Sequence, residues 1–488
     1  MKFKLYSPIS TVLFVYLLLA ASVMKAQPST LKLPLVKQTA VEKVGALDEK
    51  IQQMAMQLWE FAEIALEEQQ SSAFLADVLE EEGFTVQRGV ADMPTAFVAE
   101  WGAGRPILGV LAEFDALPGI GNAPVPERAP RPDGHPHGHG CGHNLFGAGS
   151  VGAAIALKQT MQQHNLEGTI RLYGTPAEET LVGKVYMAKA GLFDDLDAAL
   201  DWHPGTENEI NNQNGQAMNN FFVEFFGQAA HGALDPWNGR SALDAVELMN
   251  HGVNLMREHI ELSARIHYVI PNAGEAPNVV PEYAKVWYYV RDENREKVER
   301  NYQWILDIAA GAAQATRTEH KVTLITGVHP MLLNRSLQEA AQKNLGFVGA
   351  PAYAEEDHQF AKDLQSYLNI QQTGLSTMIE PLADAPLPTQ GGSTDVAEVS
   401  WITPTVSLGV ASAGKGLPWH SWATSASHGI PGAARAAQVA ARVLALTGVD
   451  LLTHPDLLSR AQDEFLEKTK SESYHSPIPA DQKPLLPR

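Results

Sequence analysis

The stretch Asn144–Trp202, NLFGAGSVGAAIALKQTMQQHNLEGTIRLYGTPAEETLVGKVYMAKAGLFDDLDAALDW, decides the fold. Asn144–His164 is rich in small residues and reads as a helix, with Asn144 of a type that caps helix N-termini well. Thr169–Gly174 reads as a strand, Leu181–Ala190 as a helix and Ala198–Trp202 as a strand. Strands that alternate with helices build a mostly parallel sheet with helices on both faces. The rhythm extends outward. Leu47–Gly83 has apolar residues at helical spacing, and Ala96–Glu100 and Pro106–Glu113 read as strands. Far downstream, Thr405–Val410 reads as a strand and Pro431–Leu446 as a helix. The expected class is α/β.

Between these halves the order changes. Met218–Phe226, Ser241–His259, Ala264–Ile270, Ala284–Arg291, Glu293–Ala315 and Lys321–Gly327 read as β-α-β-β-α-β. That is the order of a ferredoxin-like α+β module, here inserted into the larger domain. The expected boundaries are 27–215 and 329–450 for the larger domain, 216–328 for the insertion, and 451–488 for a C-terminal helix and tail. Residues 27–45 read as a flexible lead-in, and no internal repeat is visible.

A length of 488 residues suits two or three domains. The net charge of −20, without a basic run, argues against nucleic acid as a partner. At the N-terminus, Lys2 and Lys4 precede an apolar run from Thr11 to Ala21 and small residues up to Ala26. This is the pattern of a signal peptide (1–26) cleaved before Gln27, which implies a periplasmic or secreted protein. The run is short for a bilayer span, and no later segment is read as approaching it. The mature chain is therefore expected to have no stable membrane span, a retained N-terminal anchor being the rival reading. Cys141 is the sole cysteine. In an oxidising compartment a lone thiol is either inert or has a task.

Five short segments carry chemistry. His139-Gly-Cys-Gly-His143 sits at a glycine-rich turn before a helix, and a thiolate with an imidazole suits zinc or a similar ion. The bland alternative is a solvated His-rich loop, to which His135 and His137 are assigned. Glu178-Glu179 follows a strand, so one carboxylate can bind metal while the other moves a proton. A solvated helix start would use the same residues. His203 and His420 also lie past strands, although a lone histidine is commonly structural. In α/β sheets sites form beyond the carboxyl ends of strands. Glu113-Phe-Asp115, Glu178-Glu179 and His203 all stand there, which favours one shared metal centre. His231 and Asn278, in the insertion, admit either substrate contact or turn chemistry.

Taken together, these segments resemble the amidohydrolase and metallopeptidase superfamily of carboxypeptidase G, aminoacylase and hippurate hydrolase. The matching pieces are Ala112–Gly119, Gly138–Asn144, Pro176–Met187, Trp202–Gly205, Gly239–Asn250, Gly274–Pro281, Gly392–Val396 and Tyr474–Pro479. Within that superfamily the resemblance is greatest to the aminobenzoyl-glutamate hydrolase group. The resemblance implies an inserted lid and dimerisation domain and two divalent ions per subunit, Zn or Mn. It implies Cys141 as bridging ligand, with His143, Glu179, His203 and His420 as the others. It implies Glu178 as general base, Asp115 as its acidic support, and His231, Asn278 and Arg291 as substrate contacts, His231 toward a partner's site. The implied reaction is hydrolysis of an amide beside a carboxylate, with a small N-acyl amino acid such as aminobenzoyl-glutamate as substrate. The implied assembly is a homodimer or a heteromer with a related subunit. A dipeptidase or N-acyl amino acid hydrolase on the same fold is the near alternative, and a non-catalytic metal or ligand binder the distant one. The chain departs from the common motifs at Glu113 and Asn144, where Asp is usual.

Overall fold

The computed structural model describes residues 33–389 and 391–487. The proposed signal peptide lies outside them. The strands are β1 (Thr85–Arg88), β2 (Phe97–Ala103), β3 (Ile107–Glu113), β4 (Gly168–Thr175), β5 (Ala198–Gly205), β6 (Glu209–Ile210), β7 (Ala217–Phe226), β8 (Arg265–Asn272), β9 (Tyr283–Asp292), β10 (Glu319–Val328) and β11 (Thr405–Ala411).

Seven of them form one sheet in the order β1-β2-β4-β3-β5-β11-β6. The four central strands, β4, β3, β5 and β11, run parallel, and the edge strands pair antiparallel. The centre is covered on both faces, so β3 is a nearly unbroken buried run, without the alternation of a half-exposed strand. Helices His143–His164 and Ala434–Thr453 cover one face. Gly183–Lys189 and Val396–Ser400 lie on the other. The expected class is what the structure has.

The inserted module is a separate four-stranded antiparallel sheet in the order β10-β7-β9-β8. Helices Ala242–Met256 and Arg295–Thr316 pack on one side of it around their own apolar core. Strand β9 alternates between buried and half-buried positions. Its Trp287 and Tyr289 turn the other way, toward the larger core.

Three expectations need correction. Residues 35–46 are not a flexible lead-in but a helix, Leu35–Ala46. Its apolar stripe is weak in isolation. It is fixed by the far end of the chain, where Lys37 Nζ lies 2.6 Å from Asp450 Oδ2 and 2.8 Å from Asn344 Oδ1. Asn144 is not a cap. Gly142, at φ 86°, takes that position. The Asn144 amide instead donates to the carbonyls of Ala55 and His428, each at 3.1 Å, and ties the helix to its neighbours. Finally, one helical segment among the described residues is long and apolar enough to span a membrane, Pro431–Thr453, and 72% of its most apolar window is buried within the fold. Its apolarity serves the core.

Candidate active site

The carboxyl ends of β3, β4, β5 and β11 converge on one pocket. Glu113 ends β3, and Asp115 follows two residues later. Glu178 and Glu179 come just after β4, His203 is near the end of β5, and His420 lies beyond β11. Cys141 and His143 enter from the turn that opens helix His143–His164. Glycines allow that approach. A Cβ on Gly140 would stand 3.2 Å from the His420 Cα, and one on Gly142 would stand 2.8 Å from the Pro204 Cβ.

Two sets of donors share Cys141. In one, Cys141, His143 and His203 present ligand atoms within 4.8 Å of one another, and in the other Cys141, Glu179 and His420 do so. Cys141 Sγ is 3.4 Å from His203 Nε2, and His420 Nε2 is 3.4 Å from Glu179 Oε2. The imidazoles are oriented from behind. His143 Nδ1 donates to Asp115 Oδ1 at 2.9 Å, and His203 Nδ1 donates to the Pro204 carbonyl at 2.7 Å. Each Nε2 is thereby left facing the pocket, as a metal-binding histidine requires. Asp115 also accepts the Glu179 N–H at 2.9 Å on its second oxygen, so one buried carboxylate aligns both halves of the site.

These residues fit divalent ions on a structural criterion. His143 Nε2 and Glu113 Oε2 face each other at 3.1 Å without hydrogen-bond geometry, and Glu179 Oε1 is buried without any hydrogen-bond partner. Buried polar atoms are rarely left so. The electrostatics agree. Burial pushes the Cys141 thiol up to about 12, with Glu179 adding to it. Burial, then Glu113 and Asp395, holds Glu178 well above the carboxylate range. Burial opposes a charge on His143, but Cys141, Glu113 and Asp115 outweigh it and raise that imidazole well above its usual value. Such a pocket is short of positive charge.

Glu178 is buried, with Oε2 3.9 Å from His143 Nε2. Arg291, at the end of β9, is the insertion's contribution. It donates to Ser393 Oγ at 3.2 Å, its Nε is buried and unpartnered, and its charge interacts with Glu178. His231 and Asn278 are elsewhere. They sit together in the insertion's exposed turns, where the Gly232 N–H donates to the Asn278 carbonyl at 2.8 Å. Neither makes a hydrogen bond or ion pair with the donor residues among those described.

The domain model for peptidase family M20/M25/M40 matches residues 109–422, most of the chain. The chain belongs to that family. It is a metal-dependent amidohydrolase or peptidase. One subunit of the p-aminobenzoyl-glutamate hydrolase of Escherichia coli (strain K12) is 36% identical over 457 residues, covering 88% of this chain and 95% of the relative. Human Xaa-Arg dipeptidase is 29% identical over 467 residues, covering 91% of this chain and 95% of that one. A dinuclear metal-binding M20 peptidase from Bacillus subtilis shares the fold, with a TM-score of 0.54 at 19% identity, over 84% of this chain and 99% of that one.

Sequence reading gave no separate role to two buried groups of this M20 site. Lys184 is fully buried and donates to Glu113 Oε1 and Asp395 Oδ1, both at 2.6 Å. A third donor set, Glu113 with His143 and Glu178, lies against it. Asp395 falls in the matched segment Gly392–Val396, but nothing local marks it as Lys184's partner.

Proposed function

We propose that this M20 enzyme hydrolyses the amide bond of an N-acyl amino acid on the side of its free carboxylate, with aminobenzoyl-glutamate or a close analogue as substrate. The observation that carries the reading is the placement of buried Glu178 beside two donor sets that share one thiol. Cys141, His143, Glu179, His203 and His420 would hold two ions, Zn or Mn. When bound, such ions lower the pKa of a water and polarise a carbonyl. Glu178 takes the attacking water's proton and passes it to the leaving amine. Its buried place beside His143 suits both steps. Arg291 grips the substrate carboxylate, a task its forked guanidinium performs well. His231 acts toward another subunit's site and Asn278 contacts the substrate near it, both lying in exposed turns without a hydrogen bond or ion pair to this chain's own donors. The E. coli relative is named as one subunit of a hydrolase, which supports assembly with a related chain.

The test is a substrate panel in zinc and in manganese, run on wild type and Glu178→Gln. Aminobenzoyl-glutamate, acetyl-amino acids and dipeptides should separate the principal reading from a dipeptidase, which the human relative's name favours. Glu178→Gln should retain metal and lose most turnover. Near wild-type rates in that variant would remove Glu178 from its role. We also place the protein outside the cytoplasm, from its N-terminal segment. Mass spectrometry of the mature protein should then show a chain beginning at Gln27.

A further inference from the structure

Glu68 belongs to none of the three donor sets, yet it is fully buried beneath the site. It precedes helix Gln69–Glu81. Its Oε1 accepts the Ala177 N–H at 2.9 Å, and the Thr95 hydroxyl donates to its Oε2 at 3.0 Å.

Ala177 is the residue just before Glu178-Glu179, and its backbone is left-handed, φ 58° and ψ 37°. Leu181, on the other side of the pair, is left-handed as well, at φ 56°. Side chains with a Cβ disfavour that region, so surrounding structure must impose it. The turn is held from several directions. Asp115 accepts the Glu179 N–H. From the insertion, Thr326 donates to the Leu181 carbonyl at 2.5 Å and Asn220 to the Thr180 carbonyl at 3.4 Å. At the start of the turn the holding group is Glu68.

We propose that Glu68 is a positioning residue for the hydrolysis. By accepting the Ala177 N–H from below, it fixes the left-handed turn that aims Glu178 into the pocket and Glu179 at the Cys141 and His420 donors. This rests on the roles given above to Glu178 and Glu179. Burial, with Asp115 adding to it, pushes the Glu68 carboxyl up to about 8. Glutamine keeps the length of that side chain and an oxygen to accept the Ala177 N–H, and the Thr95 hydroxyl can turn to accept from its amide.

The experiment compares Glu68→Gln, Glu68→Asp and Glu68→Ala in the full chain, by kcat, KM and calorimetric titration of the metal-free protein with Zn. Glu68→Gln should stay within about threefold of wild-type kcat. Glu68→Ala should lose about tenfold or more in kcat, with KM nearly unchanged, as expected when a reacting group is displaced rather than binding lost. Its second Zn equivalent should bind more weakly, because Glu179 is a ligand. A merely structural Glu68 would lower the melting temperature and leave kcat per folded molecule intact. A folded Glu68→Ala with wild-type kcat and Zn affinity overturns the proposal. If that variant does not fold, Glu68→Asp decides, since its shorter arm cannot reach both Ala177 and Thr95, and wild-type values there overturn it. If wild type itself cleaves nothing in the panel, the functional reading fails. The Zn titration still decides the role of Glu68.

Discussion

Lys184 Nζ stands 2.6 Å from Glu113 Oε1, with both side chains shut away from water. The same ammonium reaches Asp395 Oδ1, also at 2.6 Å. One cation thus stands between two carboxylates at the floor of the metal pocket. Removing one partner of a buried ion pair leaves an uncompensated charge, at a cost of about 3–5 kcal/mol. Lys184→Met should be destabilised by about that amount, read from urea unfolding.

Cys141 is common to two of the donor sets, whereas His420 is in one. The two should therefore differ in what their removal does to metal content. Cys141→Ala should lose both ions on dialysis. His420→Ala should keep about one ion, because Cys141, His143 and His203 remain as a three-residue site. Inductively coupled plasma mass spectrometry on the purified variants checks the order wild type, His420→Ala, Cys141→Ala.

Asn144 uses both amide hydrogens on backbone carbonyls, those of Ala55 and His428. An ionised carboxylate there would face two acceptors with nothing to donate. Asn144→Asp should cost about 1–3 kcal/mol at neutral pH. The penalty should shrink as pH falls and the new carboxyl protonates, regaining a donor. Thermal melts of both proteins from pH 8 to pH 5 read this directly.

Glu464 accepts the N–H groups of Arg335 and Ser336 at 2.7 and 2.9 Å, and Lys468 Nζ lies 2.7 Å from it. Burial opposes its ionisation, but Lys468 and the two backbone donors outweigh it and hold the carboxyl below its usual value. A lowered folded-state pKa means stability that is present above the unfolded pKa and lost as pH falls through the folded one. Glu464→Gln should therefore have a lower urea midpoint than wild type at pH 7. The two should converge in the acid range, below the wild-type carboxyl's folded pKa.

That Cys141, His143 and His420 belong to the same site was implied by the family resemblance. The gathering of Glu178, Glu179 and His203 was legible in the strand pattern itself, because each follows a readable strand and the carboxyl edge of a parallel sheet brings such ends together. Asp115 was legible for the same reason. Lys184 and Glu68 were not. A lysine in a helical run normally faces water. That Lys184 does not depends on Asp395, 211 residues later in the chain. Glu68 looks like one acid among several at a helix start, and its partner Ala177 is 109 residues away. Helix Leu35–Ala46 escaped for a related cause, its anchors Asn344 and Asp450 being more than 300 residues distant.

That last arrangement dictates an order of assembly. The inserted module, Ala217–Val328, is contiguous in sequence and carries its own core, so it can fold while the ribosome is still at work. The larger domain cannot. Its first helix packs on His143–His164 and on Ala434–Thr453, so its covering is completed only when the latter has been translated, and nascent or truncated chains that stop short of that helix should be the aggregating ones.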